Sequence, residues 1–204
     1  IDDGKGGKGW LFGTIHLLPP ETDWQSRIFD KAIHESQSLL LEASGLDDPQ
    51  AVAKTFAALG VSGGLPPLAK RVDPDLQTQL KAVVAKAKVP PHVLDRMESW
   101  AATLMLASAI GADMGLEKGA GVEQVLIRRY RADEKPISGL ETIGGQLGIF
   151  DQLPESDQRA MLNATLRDAT TNREKFKAQF EAWHGGRIEE LVTEGDEGIL
   201  ASPL

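Results

Sequence analysis

Three residues that can bind a metal ion or move protons, His16, Glu42 and Glu141, each stand at the end of a short, apolar-leaning run. The runs are Trp10-Leu11-Phe12-Gly13-Thr14-Ile15-His16, Ser38-Leu39-Leu40-Leu41-Glu42 and Lys135-Pro136-Ile137-Ser138-Gly139-Leu140-Glu141. As parallel strands they would share one edge at their C-terminal ends, where open α/β sheets keep their sites. One imidazole and two carboxylates then converge. Such a set suits a divalent ion such as Mn²⁺, Co²⁺ or Zn²⁺ and the activation of water on it. In that reading His16 is a ligand, and Glu42 is a ligand or general base. Glu141 is a ligand or a support that orients the imidazole. The plainer reading bonds the histidine to a loop and uses each glutamate to cap the helix that follows. What favours the first reading is the coincidence of all three.

Other chemistries are excluded one by one. The absence of cysteine removes disulfides, thiolate metal sites and a thiol nucleophile. A net charge of −8 with no block of Lys/Arg argues against nucleic acid or an anionic membrane surface as the main partner. No apolar run approaches the roughly 18 residues of a membrane span. Asp2-Asp3-Gly4-Lys5-Gly6-Gly7-Lys8-Gly9 reads as a turn, since a phosphate-binding loop needs a hydroxyl residue after its lysine and then a helix. His34-Glu35-Ser36-Gln37-Ser38 has serine where a zincin motif needs its second histidine. His34 and His184 suit the last turns of helices and His92 a helix start.

The elements that must position the three residues follow from periodicity and caps. Thr22 or Asp23 is expected to start a helix to about Gln37, with Trp24, Ile28, Ala32 and Ile33 inward. Asp48-Pro49 and Asp73-Pro74 each give a cap followed by proline, for helices to about Leu59 and through Lys88. Residues 92–111 read as one helix with Met97, Ala101, Leu104 and Ala107 on a stripe, and 117–132 as another. Gln146–Leu153 is a short helix. From Pro154 an amphipathic run through Leu162, Leu166, Ala169, Phe176, Phe180 and Trp183 reads as one long helix ended by Gly185-Gly186. Residues 187–194 make a last short helix. The fold expected is helix-rich α/β (α+β), a mainly parallel sheet in a single domain over 1–204 with a helical insertion at 49–132. Ile1 reads as a point inside a strand-turn unit, and Ile199–Leu204 ends without a cap or polar tail. The chain is therefore expected to be a piece of a longer protein, with any signal peptide removed.

The motifs also carry a resemblance. Leu11-Phe12-Gly13-Thr14-Ile15-His16-Leu17-Leu18-Pro19 resembles the first Gly-x-x-His motif of the TraB/PrgY/GumN family, which includes the Tiki-type metalloproteases. Leu40-Leu41-Glu42 resembles the family's strand ending in glutamate. Leu94-Asp95-Arg96-Met97-Glu98-Ser99-Trp100 resembles its Arg-x-x-Pro-Trp segment, with Ser99 where proline is usual. Gly121-Val122-Glu123 is similar to its Gly-Val-Asp, and Lys135 through Thr142 to its Gly-Lys-Pro-Val-x-Gly-Leu-Glu-Thr. Gln146-Leu147-Gly148-Ile149-Phe150-Asp151 follows in order. The family's Arg-Asn segment and second Gly-x-x-His have no counterpart here.

The resemblance implies an erythromycin-esterase/ChaN-like fold and, in the Tiki branch, metal-dependent hydrolysis of peptide bonds. It implies a peptide or protein substrate and, for the bacterial GumN-like branch, a periplasmic or secreted home. Arg96, Glu123 and Gln146 become further candidates for lining a substrate cleft, Arg96 by holding a carboxylate or by pairing with an internal glutamate. The rival function is a non-catalytic protein of the same fold that binds haem or a peptide in the cleft. A third possibility is self-assembly through the stripe of residues 154–183.

Overall fold

The leucine run around residue 40 and the segment after Pro136 pair as expected. In a computed structural model, which describes residues 1–2, 4, 6–46, 48–169 and 172–195, β1 (Leu39–Ser44) and β2 (Ile137–Thr142) form a parallel two-stranded sheet. Its register sets Leu41 against Gly139 and Ala43 against Glu141. Gly139 is required by that approach. A Cβ there would lie 2.7 Å from the Ala43 carbonyl carbon and Ser44 Cα, and closer still to the Ser44 amide. The chain forms two units, Ile1–Thr55 with Gly115–Gln146, and Phe56–Met114 with Leu147–Leu204. It passes between them three times, within α2 (Pro49–Gly60), at the turn of Met114 and Gly115, and within α7 (Ile143–Asp151).

In the first unit, Leu41 and Ala43 are buried, whereas Leu40 is 58% and Leu140 73% exposed. A continuous leucine run suits a strand covered on both faces. Successive residues of a strand point to opposite faces, and only the Leu41/Ala43 face is buried. Helix α6 (Val122–Ala132) packs against β1 and β2 and buries its own Val122, Leu126, Ile127 and Tyr130. Helix α1 (Arg27–Glu35) starts at Ser26, whose Oγ accepts from the Phe29 amide, and not at Thr22 or Asp23. Thr22 instead donates its hydroxyl to the Pro19 carbonyl. Ile33 is buried as expected, but Phe29 joins it and Ile28 is exposed. The Phe29 ring packs on Phe12 and Trp24.

The third expected strand is absent. Among the described residues 10–15 join no ladder, and Leu11 is 86% exposed. The backbone that follows finds its partners elsewhere. Leu18 and Glu117 exchange amide–carbonyl bonds, and the Val122 amide donates to the Ile15 carbonyl at 3.0 Å. The glycine-rich turn before it is closed by reciprocal bonds between Ile1 and Gly9, with its Asp3 and Lys5 outside the described residues.

The second unit is helical: α3 (Gln77–Ala87), α4 (Pro91–Leu94), α5 (Ser99–Asp113), α8 (Glu155–Asp168), α9 (Asn172–His184) and α10 (Ile188–Gly195), with the ends of α2 and α7. The expected helix over 92–111 is broken between α4 and α5. Buried Arg71 accounts for the break: its guanidinium donates to the carbonyls of Leu94, Asp95 and Met97 and to Ser99 Oγ. Those carbonyls thus face a cation, and the Leu94 carbonyl closes only a tight turn, from the Met97 amide, in place of helix continuation. Nor is α5 striped. Trp100, Ala101, Ala102, Leu106 and Ile110 are all buried, and the Trp100 ring contacts Phe56 edge-on and stacks on Phe150. The long helix expected from Pro154 is two, α8 and α9. The Ala169 amide bonds back three residues to Leu166, the tightened form of a helix end. Gly186, at φ +68, ends α9 where the Gly185-Gly186 pair was expected to. The terminal stretch Ile199–Leu204 lies outside the described residues.

Replacing Gly139 with Ala is expected to lower unfolding free energy by about 1–3 kcal/mol, since backbone must move to admit the methyl. Gly63→Ala, whose methyl meets open space, provides the control in urea denaturation.

Candidate functional site

The 15–18 segment and the loop leading into α6 lie in direct backbone contact. A Cβ at Gly121 would sit 2.6 Å from the His16 carbonyl carbon and closer still to its oxygen. Glycine there lets the two segments touch, and the Ile15–Val122 and Leu18–Glu117 bonds lock them. The consequence is chemical. Glu123, in the first turn of α6, is brought under His16, and its Oε1 lies 2.9 Å from His16 Nδ1.

Thr14 reaches the same carboxylate. Its hydroxyl donates to Glu123 Oε1, so residues i and i+2 of an extended segment grip one oxygen. Glu123 is buried, and the first turn of a helix favours its negative charge. His16, by contrast, has a side chain 73% exposed, and Nε2 has no hydrogen-bond partner among the described residues. The pair is therefore an imidazole fixed at Nδ1 by a buried carboxylate and open to solvent at Nε2. That is the arrangement used both by general-base histidines and by histidines that ligate metals.

The charges reinforce one another. The hydrogen bond to Glu123 raises the His16 pKa above its ordinary value; desolvation opposes this, the charges of Glu123 and Glu42 add to it, and Lys118 subtracts. Burial alone would push the Glu123 carboxyl up. Its hydrogen bonds from His16 and Thr14 and the His16 charge together hold it below the ordinary value. A raised histidine stabilises the fold fully below about 6.5 and loses that contribution as pH rises through its folded value. A lowered glutamate stabilises fully above about 4.3 and loses that contribution as pH falls through its folded value. The pair thus stabilises most between these two values.

The sequence candidates divide accordingly. Glu42, on the exposed face of β1, lies close enough for its charge to act on His16. Its Oε1 accepts from Gln146 Nε2 at 2.6 Å, so Gln146 holds Glu42. Glu141 does not join them. Paired with Ala43, it belongs to the opposite face of the sheet from Glu42, and its carbonyl accepts from Ser44 Oγ. Arg96 is exposed on the α4–α5 turn of the second unit, its amide bonded to the Val93 carbonyl and its carbonyl to the Ser62 amide. Glu123, first read as a residue lining the cleft, is the partner of His16. Thr14 carries no signal in the sequence beyond its i, i+2 spacing from His16.

A divalent ion needs more than this pair. Among the described residues no three His, Cys, Asp or Glu side chains are placed to hold a metal ion. The set His16, Glu42 and Glu141 fails because the two glutamates belong to opposite sheet faces, so no step below is routed through a metal.

The TraB/PrgY/gumN family profile matches residues 1–202. No curated protein and no solved structure gives a significant match.

Two outcomes test this geometry. Titrating the His16 ring by NMR should give a midpoint above 6.5, which Glu123→Gln should lower by removing the partner charge; an unmoved midpoint would refute the pair. Gly121→Ala should destabilise by about 1–3 kcal/mol or more, whereas Gly119→Ala, whose methyl meets nothing, should be close to neutral in thermal unfolding.

Proposed function

The chain belongs to the TraB/PrgY/gumN family, and on that premise we propose that it carries a hydrolytic site acting on peptide bonds, with His16 as its working base. The observation that carries the proposal is the exposed imidazole whose Nδ1 is held by buried Glu123. In its neutral form Nε2 takes the proton from a water molecule as that water attacks a peptide carbonyl. The imidazolium that forms is stabilised by the Glu123 carboxylate and then returns the proton to the leaving amine. A positioned base of this kind contributes roughly 10²–10⁴-fold. Thr14 fixes Glu123, and Gln146 fixes Glu42, whose negative charge favours the same imidazolium. The same reading gives the protein a polypeptide substrate and a periplasmic or secreted location.

The test is cleavage of a peptide mixture by the full-length protein. His16→Ala should reduce the rate by roughly 100-fold or more, and equal activity in that variant would overturn the proposal. The rate should rise with pH through a midpoint above 6.5, because only neutral His16 accepts a proton. Glu123→Gln should move that midpoint down. Repeating the assay after chelation, then with Mn²⁺, Co²⁺ or Zn²⁺ restored, separates the metal-dependent chemistry of the family resemblance from an imidazole acting alone.

A further inference from the structure

In the second unit, residues 69–77 and one face of α8 line an open cleft of about 800 Å³. Its walls carry Lys70, Arg71, Arg159 and Arg167 against one carboxylate, Asp73. In a chain of net charge −8 this local excess of cations runs against the average. Helix α8 supplies Arg159, Asn163 and Arg167 at i, i+4 and i+8, a single face.

These cations are only partly engaged. Arg159 Nε donates to Glu155 Oε1 at 2.7 Å, and Arg167 Nη2 to Asp73 Oδ2 at 2.6 Å. A guanidinium has five donors, so the single bond of Arg159 leaves others available. The Lys70 ammonium has no partner among the described residues. Arg71 differs from the rest: only 2% exposed, it spends both Nη atoms on the α4–α5 turn. Its Nε is buried with no partner. Native structures seldom leave a buried donor unsatisfied, least of all one on a charged group. Burial also pulls the Arg71 pKa down, against the charges of Glu155 and Asp95.

We propose that this cleft binds a small oxyanion group, a phosphate or a carboxylate, held by the Lys70 ammonium and the Nη donors of Arg159. Oxyanions accept parallel N–H bonds from guanidinium groups, which is the chemistry these side chains offer. The cleft uses no residue of the His16 site, so its fate is independent of the hydrolytic reading.

The experiment is an NMR titration of the full chain with inorganic phosphate and, separately, with acetate, at constant ionic strength with chloride as the reference salt. Saturable shifts confined to residues 69–77 and 156–167 are expected. Lys70→Gln and Arg159→Gln, both at solvent-accessible side chains, should each weaken binding about tenfold, the loss of one hydrogen bond to a charged group. Tighter binding of phosphate than acetate assigns a phosphoryl ligand, and equal or tighter acetate binding assigns a carboxylate. Shifts matched by chloride, or affinities unchanged in both variants, would overturn the proposal and leave the arginines as fasteners of α8.

Discussion

The contact between the His16 carbonyl and Gly121 is the constraint on which the candidate site depends. Two backbone segments remote in sequence touch there with no side chain between them. The Ile15–Val122 bond and the paired Leu18–Glu117 bonds then satisfy backbone groups that the missing strand ladder leaves without partners. Because α6 begins at Val122, the same contact fixes where its first turn lies, and with it the Glu123 carboxylate. Thr14 and His16, two residues apart on an extended backbone, both reach that carboxylate. A single steric fact thus organises a hydrogen-bonded trio.

Around the trio the electrostatics favour a charged imidazole. Glu123 is buried yet kept ionised by its donors, and Glu42 adds a second negative charge from the exposed face of β1. Gln146 steadies Glu42 through a hydrogen bond. What the sheet withholds is Glu141. A strand alternates its side chains with a period of two, and the pairing of Ala43 with Glu141 settles that Glu42 and Glu141 cannot act on the same side.

The second unit shows how one buried cation can reshape a helix. Arg71 collects the carbonyls of Leu94, Asp95 and Met97, ends α4 and lets α5 begin at Ser99. Ser99 Oγ passes the connection to Glu155 Oε1, which also accepts from Arg159. Beside this network α5 buries Trp100 between Phe56 and Phe150, and the close approach of Gly60 to Ala101 leaves no room for a larger residue.

The sequence by itself determined most of the helices, because caps and apolar periodicity are local. Asp48 accepts from the amides of Gln50 and Ala51 at the start of α2, the helix its Asp48-Pro49 pair announces. The parallel pairing of the segments around Leu40 and Gly139 and the family were legible in the same way. Tertiary structure alone decided the rest. Whether residues 10–15 become a strand depends on a ladder partner. The break at Asp95–Glu98 depends on an arginine more than twenty residues earlier. The partner of His16 proved to be Glu123, more than a hundred residues away, and not the glutamate that ends another strand. Strand-end position can be read along the chain, but which face a side chain takes and which backbone it touches depend on register and on contact between distant segments.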